Sequence, residues 1–78
     1  MPRFYFHLHR SETSLEDDDG MELPDVAAAR QEAHQSAMEL FIDAIRFDGH
    51  VERQHFEVHD KAGNVVFTLS FEDIVKFL

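Results

Sequence analysis

The 78-residue chain has no cysteine. No disulfide can staple it, and no thiolate is available as a nucleophile or zinc ligand. Its three glycines, Gly20, Gly49 and Gly63, stand alone, so no glycine-rich loop exists to cradle a phosphate. Basic residues are scarce: 7 Lys and Arg against 16 Asp and Glu, a formal charge of −9. Non-specific affinity for nucleic acid comes from Lys and Arg, so direct DNA or RNA binding is not expected, and a basic protein is the better-matched partner. No apolar run is long enough to cross a bilayer, and no membrane association is expected. The apolar start is too short and interrupted for a signal peptide, which makes the cytoplasm the expected location. None of Ser11, Ser14, Ser36 and Ser70 lies in a Gly-x-Ser-x-Gly elbow. A chain this short also has little volume for a deep, water-excluding cleft. Neither an enzyme activity nor a cofactor is expected.

What is present is periodic. In "RFYFHLHR", Phe4, Phe6 and Leu8 alternate with Arg3, Tyr5, His7 and His9, the period of a strand with one buried face. A short strand near residues 13–17, with Leu15 as its apolar contact, is expected before the turn signal Asp19-Gly20. Leu23-Pro24-Asp25 opens a helix, with proline at the entrance and Asp25 as N-cap. Val26, Ala29, Ala33, Ala37, Leu40, Phe41 and Ala44 recur at three- and four-residue spacing, and Asp48-Gly49 ends the helix. Residues 54–59 alternate again, Phe56 and Val58 against His55, Glu57 and His59. The stretch "DKAGN" reads as a hairpin loop. Val65, Phe67 and Leu69 then alternate with Val66, Thr68 and Ser70. Ser70 and Asp73 resemble a capping box. A last short helix carrying Phe71, Ile74, Val75, Phe77 and Leu78 is expected to close one edge of the core. The expectation is one domain, residues 1–78, of the α+β class. Its one long helix packs on a three- to four-stranded, mainly antiparallel sheet in the order β(β)αββ, followed by a short C-terminal helix.

These segments carry a resemblance. The "RFYF" start, the "LPD…AR…A" helix entrance and the "D..G" hairpin resemble a family of short bacterial proteins of unknown function, over nearly the whole chain. The resemblance implies a small cytoplasmic α+β domain and no particular activity. The strands ahead of an Ala- and Glu-rich helix also resemble, more faintly, antitoxin domains of the HicB type. The hairpin after the helix departs from that plan.

Two surfaces are candidates for function. The polar face of the strands gathers Tyr5, His7, His9, His55, Glu57, His59 and Thr68 as an interaction face. The same histidines, His7, His9, His55 and His59, form a candidate site for zinc, nickel or copper, because imidazole suits those ions. Neighbours on one face of a strand stand roughly 6.5–7 Å apart, so such a site needs cross-strand ligands. Solvated strand histidines are the plainer reading. The second surface is the helix flank Met38, Ile42 and Ile45, beside the core stripe, either covered by the end segment 71–78 or exposed as an oligomer interface. Eight phenylalanines are many for one small core, which favours association. The acidic run Glu16–Asp19 fails as a calcium loop: with Gly20 as the loop glycine, the first and last ligand positions fall on Leu15 and Val26. The expected function is a non-catalytic, acidic protein-interaction or regulatory module, working as a homodimer, with a histidine-face metal-binding protein as the alternative. Protonating all six histidines would take the charge from −9 to −3, so association is expected to respond to pH.

Overall fold

A computed structural model describes residues 1–49 and 52–75. Its first strand, β1 (Arg3–Arg10), lies at the centre of a five-stranded antiparallel sheet. Along one edge β1 pairs with two two-residue strands, β2 (Ser14–Leu15) and β3 (Met21–Glu22). Along the other it pairs with β4 (Gln54–His59), which pairs in turn with β5 (Val65–Ser70). The expected three or four strands are thus five among the described residues. The extra one, β3, arises because the acidic turn sends the chain back along the same edge of β1. A two-residue strand is too short to show a period, so its sequence carried no mark.

The helix α1 (Val26–Asp43) starts where expected. Asp25 Oδ1 accepts the Ala28 N–H at 2.8 Å, satisfying one of the free donors of the first turn. Ala29, Ala33 and Ala37 are fully buried. Methyl-sized side chains on that stripe let the helix backbone approach the sheet, and Phe4, Leu8, Phe56, Val58, Phe67 and Leu69 fill the space from below. Leu40 and Met38 pack against this core, and Phe41 and Ala44 are half-buried. Val26, expected on the apolar stripe, is exposed, because the first helical turn lies beyond the stripe's buried part.

The helix does not run as α to Asp48. It widens into a π-helical turn, Ala44–Asp48, closed by Gly49 at φ +77°, whose N–H bonds Ala44 O at 3.0 Å. One added residue in that turn rotates the following side chains, and Phe47 is left exposed.

The β4–β5 hairpin turns through Asp60. Its Oδ1 accepts the Ala62 and Asn64 N–H groups at 2.9 Å each, and Gly63 at φ +87° supplies the left-handed residue. A bulge follows: His59 pairs with Val65, but Val58 pairs with Phe67. Val65 therefore lies opposite His59 and is exposed, whereas strict alternation had placed it with Phe67 and Leu69. The closing helix α2 (Phe71–Val75) begins where Ser70 Oγ accepts the Glu72 N–H at 3.2 Å, and Phe71 and Ile74 are buried. The expected contributions of Phe77 and Leu78 lie outside the described residues. All of α1 sits on one face of the sheet; the opposite face carries no helix among the described residues.

Candidate functional site

Strand register decides what the open face brings together. Tyr5 lies opposite His59, His7 opposite Glu57, and His9 opposite His55. Across the next gap, Glu57 faces Thr68 and His55 faces Ser70. All seven residues expected on the interaction face therefore share one surface, and the four strand histidines meet there. The β1–β4 pairing that gathers them leaves no trace in the local period of either strand.

Glu57 is the hub. Its Oε1 lies 2.7 Å from His59 Nε2, and its Oε2 lies 3.9 Å from His9 Nε2. The hydrogen bond from His59 holds the Glu57 carboxyl below its ordinary value; burial opposes this, and the charges of His9, His59 and His55 add to the lowering. The His7 and His59 rings meet edge to face, with centroids 4.6 Å apart and planes at 82°. The His9 and His55 rings stack at 5.2 Å and 18°.

A second layer of contacts was not expected. The acidic turn folds against β1 and clamps it. Asp17 Oδ2 accepts the Phe6 N–H at 3.0 Å, while Oδ1 accepts the N–H groups of Asp19 at 3.2 Å and Gly20 at 3.0 Å. Burial raises the Asp17 carboxyl, but the bonds from Phe6, Gly20 and Asp19, with the charge of His7, outweigh it and leave the group below its ordinary value. From the other side of the turn, Arg3 donates to Asp19 O at 2.9 Å and to Glu22 Oε1 at 3.0 Å. The Asp17–Gly20 spacing was the available signal: an Asp side chain capping a turn that ends in glycine. The Asp17 carboxylate is thus an internal acceptor.

The geometry bears on the metal alternative. The near-parallel rings of His9 and His55 direct their in-plane lone pairs along parallel planes, away from a common point. His59 Nε2 is engaged by Glu57, and His7 Nδ1 accepts the Asp17 N–H at 3.0 Å. Among the described residues no set of three or more His, Asp or Glu is arranged to hold an ion. Nor, among the described residues, does the face contain a deep cleft. Beside the stacked rings lies an open groove of ≈ 460 Å³ whose lining includes Arg10, Arg53, Thr68 and Glu72. Arg53 is paired with Glu72 at 2.7 Å, so the groove's positive charge is offset within the fold.

On the helix flank, Ile42 and Ile45 are about half exposed, at 47% and 51%, so the described part of the end segment does not cover them. Met38 is half-buried against the core. Among the described residues no helix is long and apolar enough to cross a membrane.

Fold and face together define a class: a small α+β domain with a one-sided sheet, its helix layer on one face and a histidine-rich polar surface on the other. The chain belongs to the family described as a domain of unknown function, DUF6894, whose model matches residues 3–72. No curated protein and no solved structure matches the chain, so the HicB-type likeness gains no support.

Proposed function

We propose that this domain is a non-catalytic protein-interaction or regulatory module that docks through the open face of its sheet. The observation that carries the reading is a face left uncovered by the helix layer, yet already ordered. Its polar side chains are held in cross-strand pairs around Glu57, with half-buried rings at His7, His9, His55 and His59. Ordering beforehand lowers the entropic cost of docking, because the side chains are already restrained. The charge of −9 suits a partner with a basic surface. The absence of a deep cleft among the described residues favours recognition over turnover.

The test is affinity capture from the source cells with the full chain, read by mass spectrometry, beside a Thr68→Arg variant. Thr68 is exposed and lies opposite Glu57, so an added guanidinium changes the shape and charge of the face at little cost to the fold. A stoichiometric partner held by the wild type and lost by the variant supports the reading. Capture unaffected by Thr68→Arg moves the docking surface elsewhere, and no partner above background overturns it.

A further inference from the structure

One atom on the open face is claimed twice. His7 Nδ1 lies 3.0 Å from the Asp17 backbone N, which donates to it, and 3.1 Å from Glu16 Oε2, which can only accept. A neutral imidazole nitrogen with its lone pair exposed satisfies the first contact and repels the second. A protonated nitrogen does the reverse. The two contacts belong to opposite protonation states of the same ring.

We propose that His7 is a proton-operated latch for the acidic turn, holding Asp17 by its N–H when neutral and Glu16 by its carboxylate when charged. In the neutral state the proton sits on Nε2 and Nδ1 accepts from Asp17. Taking up a proton from water forms a new N–H bond at Nδ1. The Asp17 N–H then loses its acceptor, and the ring donates to Glu16 instead. The turn does not come away, because the Asp17 carboxylate stays bonded to the N–H groups of Phe6, Asp19 and Gly20. The Glu16–Asp17 peptide pivots about that clamp.

Among the described residues, charged and titratable groups on three sides of the ring take part in the balance. On the turn, Glu16 and Asp17 favour the charged form. From β4, Glu57 lies directly opposite and favours it too, while the two diagonal neighbours, His59 with its centroid 4.6 Å away and His55, oppose it once charged. On β1 itself, His9 opposes it and Tyr5 is neutral. The His7 side chain is only 13% exposed but Glu16 is 62% exposed, so this balance is struck at the rim of the face, where water screens the Glu16 contact in part. The latch deepens the proposed function as its regulation: protonation alters both the charge and the outline of the docking face beside β1. That consequence rests on the docking reading; the latch itself does not.

The test is NMR on the ¹⁵N-labelled full chain, titrated across roughly pH 5 to 8, where imidazoles change charge. Two signals are followed: the His7 ring nitrogens and the Asp17 amide. The expected result is an Nε2–H tautomer for His7 at the alkaline end, and an Asp17 amide that shifts along the same curve as the His7 ring. In His7→Asn the amide carbonyl keeps an acceptor near the same place but cannot titrate, so the Asp17 shift across this range should vanish. An Nδ1–H tautomer at high pH overturns the proposal. So does an Asp17 amide that stays still while the ring titrates, or one that still titrates in His7→Asn. The tautomer measurement uses the wild-type chain and stands even where the variant folds poorly. If the latch operates but capture finds no partner, the docking reading fails and the latch remains.

Discussion

Two glycines at positive φ divide the cost of a methyl group into its parts. A Cβ at Gly20 would stand 2.9 Å from Arg3 Cγ, Phe4 O and Tyr5 Cε2, whereas one at Gly63 meets nothing within 4 Å. Gly63→Ala should cost only the left-handed backbone, about 1–2 kcal/mol. Gly20→Ala adds collision with a backbone oxygen and should cost clearly more, so urea unfolding of the two variants side by side separates strain from clash. Asp17 offers a second test at this scale. Asp17→Ala removes the acceptor of three backbone N–H groups and should destabilise by about 1–2 kcal/mol, the part-exposed site being screened by water. Acid should weaken the wild type for the same reason. The Asp17 and Glu57 carboxyls sit below their ordinary values of 3.8 and 4.5, so the unfolded chain binds their protons more tightly. Their stabilisation is complete above those ordinary values and drains away as pH falls through the lower folded-state values. Urea midpoints measured from pH 7 down to pH 3 should fall, and Asp17→Asn should flatten part of the decline. Beyond the local Asp17–Gly20 turn signal none of this was legible beforehand, because Phe6 and His7, which meet Asp17, and Arg3, Phe4 and Tyr5, which crowd Gly20, lie ten or more residues away in the chain.

At the scale of elements, α1 was readable almost to its end. Its N-cap, its stripe of alanines and its approach to the sheet follow from local spacing. Ala33→Leu should therefore be expensive, about 1–3 kcal/mol or more, since Ala33 is fully buried against the sheet with no room for three extra carbons. Ala27→Leu on the exposed side of the same helix should fall within about 0.5 kcal/mol of the wild type. Thermal or urea unfolding of the pair checks whether the buried stripe runs where the structure places it. The π-helical turn and the β5 bulge were not readable. Each inserts one residue into a regular repeat, and a period read from one side of the insertion predicts the wrong face on the other. Val65 and Phe47 are the residues displaced by it.

For the whole molecule, the phenylalanine surplus resolves unevenly. Phe4, Phe56, Phe67 and Phe71 are buried, Phe6 and Phe41 are partly so, and Phe47 is 76% exposed. With Ile42 and Ile45 also about half exposed, the end of α1 presents the apolar flank on which homodimer formation was expected. Light scattering on concentrated protein should give twice the monomer mass, and an Ile42→Glu, Ile45→Glu double variant should return it to the monomer. A monomeric wild type removes the dimer from the reading. Zinc, nickel and copper should leave the melting temperature unchanged at stoichiometric concentration, because His59 Nε2 is bonded to Glu57, His7 Nδ1 to Asp17, and the stacked rings of His9 and His55 do not converge on one point. A stabilisation lost in a His55→Ala, His59→Ala variant would restore the metal alternative.

The amino-acid sequence by itself determined the main element types, the face that β1, β4 and most of β5 turn to the core, the helix cap and the hairpin, since all of these follow from repeats of two or 3.6 residues and from turn chemistry. It also determined which residues could share the open face. Only the tertiary structure decided that they do. The pairing of β1 with β4 joins segments more than forty residues apart, and backbone hydrogen bonds between strands carry no side-chain code that one strand could announce alone. The same holds for His7: its period marked it as outward-facing, but the turn that folds back to hold it is tied down by the Phe6 N–H of β1, which Asp17 reaches only once the chain has folded.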